Sequence, residues 1–260
     1  MKHTSIGVAI SLAALAVFAF ATAASANHSW GPPYHWARTS NPFTLKVGDN
    51  VSSSWDFYLD TAIADWSQSS VLDMTKVAGG TRPKTCRPTA GRVESCSARY
   101  GNTGWLGIAQ IWITGGEHIT QGVVKVNDYY FSQPYYNTAG WRSLVMCQEP
   151  GHTLGLGHQD ENFNNDPIQP HTCMDYFIPE ANEIVHPNQH DYEQLEDIYS
   201  HLDTTTTISQ AATSPRSWQS AQAPREWGRE IHRSPDGQAS VFVRDLGLGR
   251  RIVTHVFWAE

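Results

Sequence analysis

The chain has 260 residues, a formal net charge of -7, 40% hydrophobic residues and four cysteines. An acidic balance argues against nucleic-acid binding, which needs a basic face, and the length suffices for one sizeable core with a small appendage. Ten Trp and ten Tyr suit a folded domain with aromatic-rich packing.

In chain order, residues 1-26 read as a signal peptide. Lys2 and His3 precede an apolar run from Ile6 to Ala21, and Ala24-Ser25-Ala26 fits a small-residue cleavage site. The run is shorter than the roughly 20 residues that span a bilayer, and no later segment offers a second anchor. The expectation is an exported, soluble protein, more acidic still once Lys2 is removed, with no membrane partner afterwards. In that compartment an even number of cysteines favours disulfides. Three pairings are open. Cys86 and Cys96 flank a loop containing Pro, Gly and Arg, which suits local pairing, while Cys147 with Cys173 would tie two functional segments together.

Pro42 to Val47 alternates like a strand and Gly48-Asp49-Asn50 closes it with turn residues. Trp55, Tyr58, Leu59, Ala62, Ile63 and Trp66 recur at three- and four-residue steps, so a helix is expected there, capped by Ser52, Ser53 or Ser54. Val71 to Val77, Gly107 to Ile113 and Val123 to Asn127 read as further strands, with a pinned loop between Cys86 and Cys96. A helix opening at Asn137 or Thr138 runs through Trp141, Leu144, Val145 and Cys147, and another covers Asp191 to His201. Residues 203-224, rich in Thr, Ser, Gln, Ala and Pro, read as a linker. In the remaining 225-260, Val241-Phe242-Val243 and Ile252 to Trp258 suggest a small β-hairpin, marginal alone and expected to dock on the main domain or a partner.

The chemistry concentrates in Cys147-Gln148-Glu149-Pro150-Gly151-His152-Thr153-Leu154-Gly155-Leu156-Gly157-His158, followed by Cys173-Met174-Asp175-Tyr176. In a His-Glu-x-x-His helix the two histidines lie on one face and hold one metal, and the glutamate faces the bound water. Here those positions are Gln148, Glu149 and His152, and Gly155 can take the left-handed turn that brings His158 back.

This pattern resembles the metzincin zinc peptidases, and Gly151 to His158 looks most like the matrixin branch and related secreted bacterial proteases. The likeness covers about residues 40 to 202, strongly at the motif. It implies an α+β zincin domain over 27-202: a twisted mixed sheet, an active-site helix, a Met-turn and a C-terminal helix, with the C-terminal β segment beside it. It also implies Zn2+ held by His152 and His158, Glu149 as general base, Met174 as the floor under the metal, and Tyr176 as an extra ligand or hydrogen-bond donor. The activity implied is hydrolysis of a protein or peptide substrate by a zinc-activated water, with the stretch Ile108 to Ile113, followed by the strand at Val123 to Asn127, as the edge on which an extended peptide would pair.

Two residues depart from the family pattern. Gln148 stands where the first histidine belongs and offers only an amide oxygen, and Pro150 lies inside the helix, where it removes a hydrogen bond and would kink the chain near Met146. Three accounts of Gln148 follow: it is an atypical third ligand, another residue such as Asp160 substitutes, or metal binding is lost. The alternative to a peptidase is therefore a catalytically impaired protein of the same scaffold that binds a peptide, protein or surface polymer; a third class is a structural adhesion protein. Asp160-Glu161-Asn162 and Asn164-Asn165-Asp166 form an oxygen-rich loop that suits Ca2+. His28, His35, His118, His171, His186, His190, His201, His232 and His255 show no ligand spacing. The oligomeric state is not fixed by the sequence, with a monomer expected.

Overall fold

The computed structural model describes residues 28–162, 171–210 and 223–260. The expected signal peptide, the loop around Asn164-Asn165-Asp166 and most of the expected linker lie outside these residues. The described residues form a mixed α+β structure: β1 (His35–Trp36), β2 (Phe43–Asn50), α1 (Asp56–Trp66), β3 (Leu72–Ala78), β4 (Val93–Ala98), β5 (Trp105–Thr114), β6 (His118–Asn127), α2 (Ala139–Thr153), α3 (Gln189–Ile198), β7 (Arg229–Arg233), β8 (Ala239–Gly247) and β9 (Arg250–Trp258). The strands make one sheet in the order β3-β2-β4-β6-β5-β9-β8-β7, with β1 beside the start of β6. Pairing is parallel from β3 to β6 and antiparallel from β6 to β7.

Each expected strand and helix is present with its ends shifted by a few residues, and β1, β4 and β7 are additions. β4 was hidden inside the expected loop because Glu94, Ser95 and Ser97 are polar, yet all three are buried and the strand pairs on both edges. The serines do not cap α1. Its N-cap is Trp55, which has no side-chain capping bond and whose indole instead donates to Asp128 Oδ1 at 2.7 Å.

The sheet is covered on both faces, which explains why β5 is buried along nearly its whole length. On β9, Val253 and Phe257 face the large core beneath the helices, while Ile252 and Val256 face a second cluster with Trp105, Trp112, Trp227 and the Cys86–Cys96 disulfide. This is strand alternation with both faces dry. The C-terminal hairpin is thus a continuation of the sheet, paired to β5 from Trp105↔Trp258 to Ile113↔Arg251. Within the expected linker, Asp203 and Thr207 hold to the domain, donating from their backbones to Arg38 and Ala37 carbonyls.

Lys125 is a buried charge in this sheet, 2% exposed on β6. Burial lowers its pKa to about 8, against a smaller upward pull from Glu226. The folded chain therefore binds fewer protons than the unfolded chain between pH 8 and the ordinary lysine value, so stability rises with pH across that window. Below it the cost is fully present. Lys125→Met is expected to raise stability by up to about 3 kcal/mol at pH 7, with the gain vanishing above about pH 10.5. Denaturant melts at both pH values would check this, and a gain independent of pH would contradict it.

Candidate metal centre

Helix α2 starts on Thr138, whose side chain accepts from Trp141 N, and runs uninterrupted through Pro150 to Thr153. The helix continues past Met146, where a kink was expected, without losing its helical assignment. Proline removes a single backbone bond close to the natural end of the helix, and the Thr153 hydroxyl donates to Pro150 O at 2.7 Å. Gly151 is required by contact, since a Cβ there would stand 2.6 Å from Met174 Sδ and 2.7 Å from the Trp66 ring. Met174 is fully buried against the helix, and the Cys147–Cys173 disulfide joins the helix to its segment.

After the helix, Gly155 takes φ +98°, and a Cβ there would lie 2.0 Å from Tyr34 O. The chain turns there and His158 comes back over His152, their rings 4.7 Å apart. His152 Nδ1 donates to Leu156 O at 2.8 Å, which leaves Nε2 with its lone pair. His158 Nδ1 lies 2.9 Å from Glu161 Oε1. Against the upward pull of burial, hydrogen bonds from His158 and His232 hold the Glu161 carboxyl down at about 2, so it accepts and His158 donates. The two Nε2 atoms face each other at 3.0 Å. Burial pulls both imidazoles below their usual range, towards the neutral form.

Gln148 is placed differently from a simple ligand. Its amide nitrogen donates to Cys173 O at 2.9 Å and Asp175 O at 3.3 Å, clamping the Met174 segment, and its Oε1 has no hydrogen-bond partner among the described residues. The third imidazole of the group comes from His255 on β9: ligand atoms of His152, His158 and His255 all lie within 4.8 Å of one another. Strand β9 brings it in by pairing Ala109 with His255. Space is left by Gly107, where a Cβ would meet Glu149 Oε1 at 2.5 Å.

Glu149 is fully buried, its Oε2 is 3.1 Å from His255 Nδ1, and no hydrogen-bond partner reaches its Oε1 among the described residues. Burial pushes its carboxyl well above the usual range. The Tyr176 hydroxyl lies 3.0 Å from His255 Nε2, and its ring packs 4.6 Å from His158. Asp160, the alternative donor in sequence, spends its Oδ1 on Asn162 N. The oxygen-rich loop does not gather for Ca2+ within the described residues: Glu161 is committed to His158 and to His232, the latter at 2.7 Å. A cleft of about 140 Å³ reaches His152 and His158 past Trp30, Glu161, His232 and Val241.

The donors suit a zinc ion. Two lone pairs converging at 3.0 Å, each fixed by a proton committed on the other side of its ring, repel unless a cation lies between them. Three imidazoles are also a normal catalytic donor set. His255 offered no sequence signal, because it lies 106 residues from Glu149 on a strand with no ligand spacing.

In a comparison of folds the chain is similar to high choriolytic enzyme 1, a hatching enzyme zinc-protease from the medaka fish Oryzias latipes, at 14% identity and a TM-score of 0.36, covering 66% of this chain and 96% of that one. No protein-family model and no curated protein matches the sequence.

Proposed function

We propose that the protein is a metzincin-type zinc peptidase in which His255 replaces the missing first histidine, so that His152, His158 and His255 hold the metal. The observation that carries this reading is the pair of lone-pair nitrogens at 3.0 Å beside the buried carboxyl of Glu149. When bound, zinc supplies a Lewis acid and lowers the pKa of water. Glu149 is the group placed to take a proton and hand it to the leaving amine. His255 lies between Glu149 and Tyr176, so binding metal through either nitrogen frees one of these two groups to face substrate. Glu161 orients His158 and sets its tautomer. Trp30, 5.2 Å from the His152 ring, shields the group from water on one side.

Export is part of the proposal. The disulfides Cys86–Cys96 and Cys147–Cys173 fit an oxidising compartment, and no helix among the described residues is long and apolar enough to cross a membrane.

The decisive measurement is hydrolysis of an unfolded protein substrate by zinc-loaded wild type and Glu149→Gln. The variant is expected to lose about 100-fold or more in rate while keeping the same zinc content. Full activity in the variant rules Glu149 out as the base.

One observation favours a second reading, a metal-holding binding protein without turnover. Strand β9 lies along β5, on the edge where an extended peptide was expected to pair. Zinc bound at one equivalent with no cleavage of any member of a peptide library would select that reading.

A further inference from the structure

A second group of metal-ligating side chains lies outside the centre described above. His35 on β1, His118 at the start of β6, and His201 and Asp203 beyond α3 converge from three distant parts of the chain. Asp203 Oδ1 lies 3.1 Å from His118 Nε2, 3.5 Å from His35 Nε2 and 3.8 Å from His201 Nε2, and the His35 and His201 Nε2 atoms are 3.3 Å apart.

We infer that these four residues form a separate structural zinc site, closed and tetrahedral, with three imidazole nitrogens and one carboxylate oxygen. Donors about 2.0–2.1 Å from a tetrahedral zinc stand about 3.3 Å from one another. Ligand atoms of His35, His118 and Asp203 all lie within 4.8 Å of one another, and the distances that bring in His201 as the fourth donor, 3.3 Å to His35 and 3.8 Å to Asp203, lie close to that value. The donors are also oriented as ligands usually are. His35 Nδ1 donates to Pro33 O at 2.8 Å, which leaves the Nε2 lone pair facing the group. Asp203 Oδ2 accepts from Arg38 N at 3.0 Å and Arg38 Nη1 at 3.1 Å, so Oδ1 is the oxygen turned towards the imidazoles. Buried Arg38 also holds the Tyr199 and His201 carbonyls, fixing the segment that carries two of the four donors. His35 and Asp203 are nearly buried whereas His118 and His201 are partly exposed, so a metal could enter from solvent and be retained.

Four protein donors leave no position for water, which makes the role structural: it pins β1 and the chain beyond α3 to β6. The inference does not depend on the peptidase reading, because no residue is shared between the two groups.

The test is zinc content of the full chain after saturation and removal of free metal. Two equivalents are expected for wild type and one for His118→Gln/His201→Gln, whose exposed positions tolerate exchange. One equivalent is also expected for His152→Gln/His158→Gln, and none when all four changes are combined. If the first double variant keeps the wild-type count, or if His152→Gln/His158→Gln binds none, the second site is refuted. Should His152→Gln/His158→Gln fail to fold, the wild-type and His118→Gln/His201→Gln counts still decide. A rise in melting temperature on adding zinc to His152→Gln/His158→Gln would support the site independently.

Discussion

Replacing His255 by alanine is expected to strip the centre of zinc and abolish hydrolysis, while Gln148→Ala keeps the native zinc count. Loss of a residue that only orients a metal ligand commonly costs 10–100-fold in affinity, so loss of a ligand itself should cost at least about 100-fold. Gln148 sits at the motif position of a ligand, but both its amide hydrogens are spent on the Cys173 and Asp175 carbonyls. Its removal therefore strands two buried acceptors, at about 1–3 kcal/mol of stability. Metal analysis of the two variants with a denaturant melt separates the effects. The opposite outcome, zinc retained by His255→Ala and lost by Gln148→Ala, would make the buried Oε1 of Gln148 the third donor.

Deleting residues 223 to 260 is expected to leave a chain that neither folds nor stays in solution. Ala239, Val241, Ile252, Val253, Val256 and Phe257 are all buried in the intact protein. At about 1.5–3 kcal/mol for each larger side chain, their burial contributes on the order of 10 kcal/mol, comparable with the about 5–15 kcal/mol of a whole domain. Deletion also uncovers β5, whose long apolar edge would pair with other chains. Solubility, gel filtration and a thermal melt would measure this. A soluble monomer with an unchanged melt would show that the hairpin is a dispensable appendage.

These two cases mark how far the sequence could be read. The helix from Thr138 through the motif and the turn at Gly155 were legible because their signals are local: a cap, a 3.6-residue period, a residue that tolerates positive φ. Met174 and Tyr176 were singled out by the resemblance alone. Like the first helix, the one at Asp191 was legible, and Asn188 provides its capping box. β4 was not, because its buried polar residues carry no alternating pattern. Pro150 was expected to kink the helix as in a helix interior, and it lies in the last turn of a helix that stays continuous.

By itself the sequence determined the strands and helices around the motif, and showed Gln148 standing where the motif it resembles has its first histidine. Only the tertiary structure decided that Gln148 clamps the Met174 segment, that His255 completes the trio of imidazoles, and that His35, His118, His201 and Asp203 meet at all. The reason is physical. Local propensity acts over a few residues, but these side chains are brought together by strand register across the sheet, where β5 selects which face of β9 looks towards helix α2.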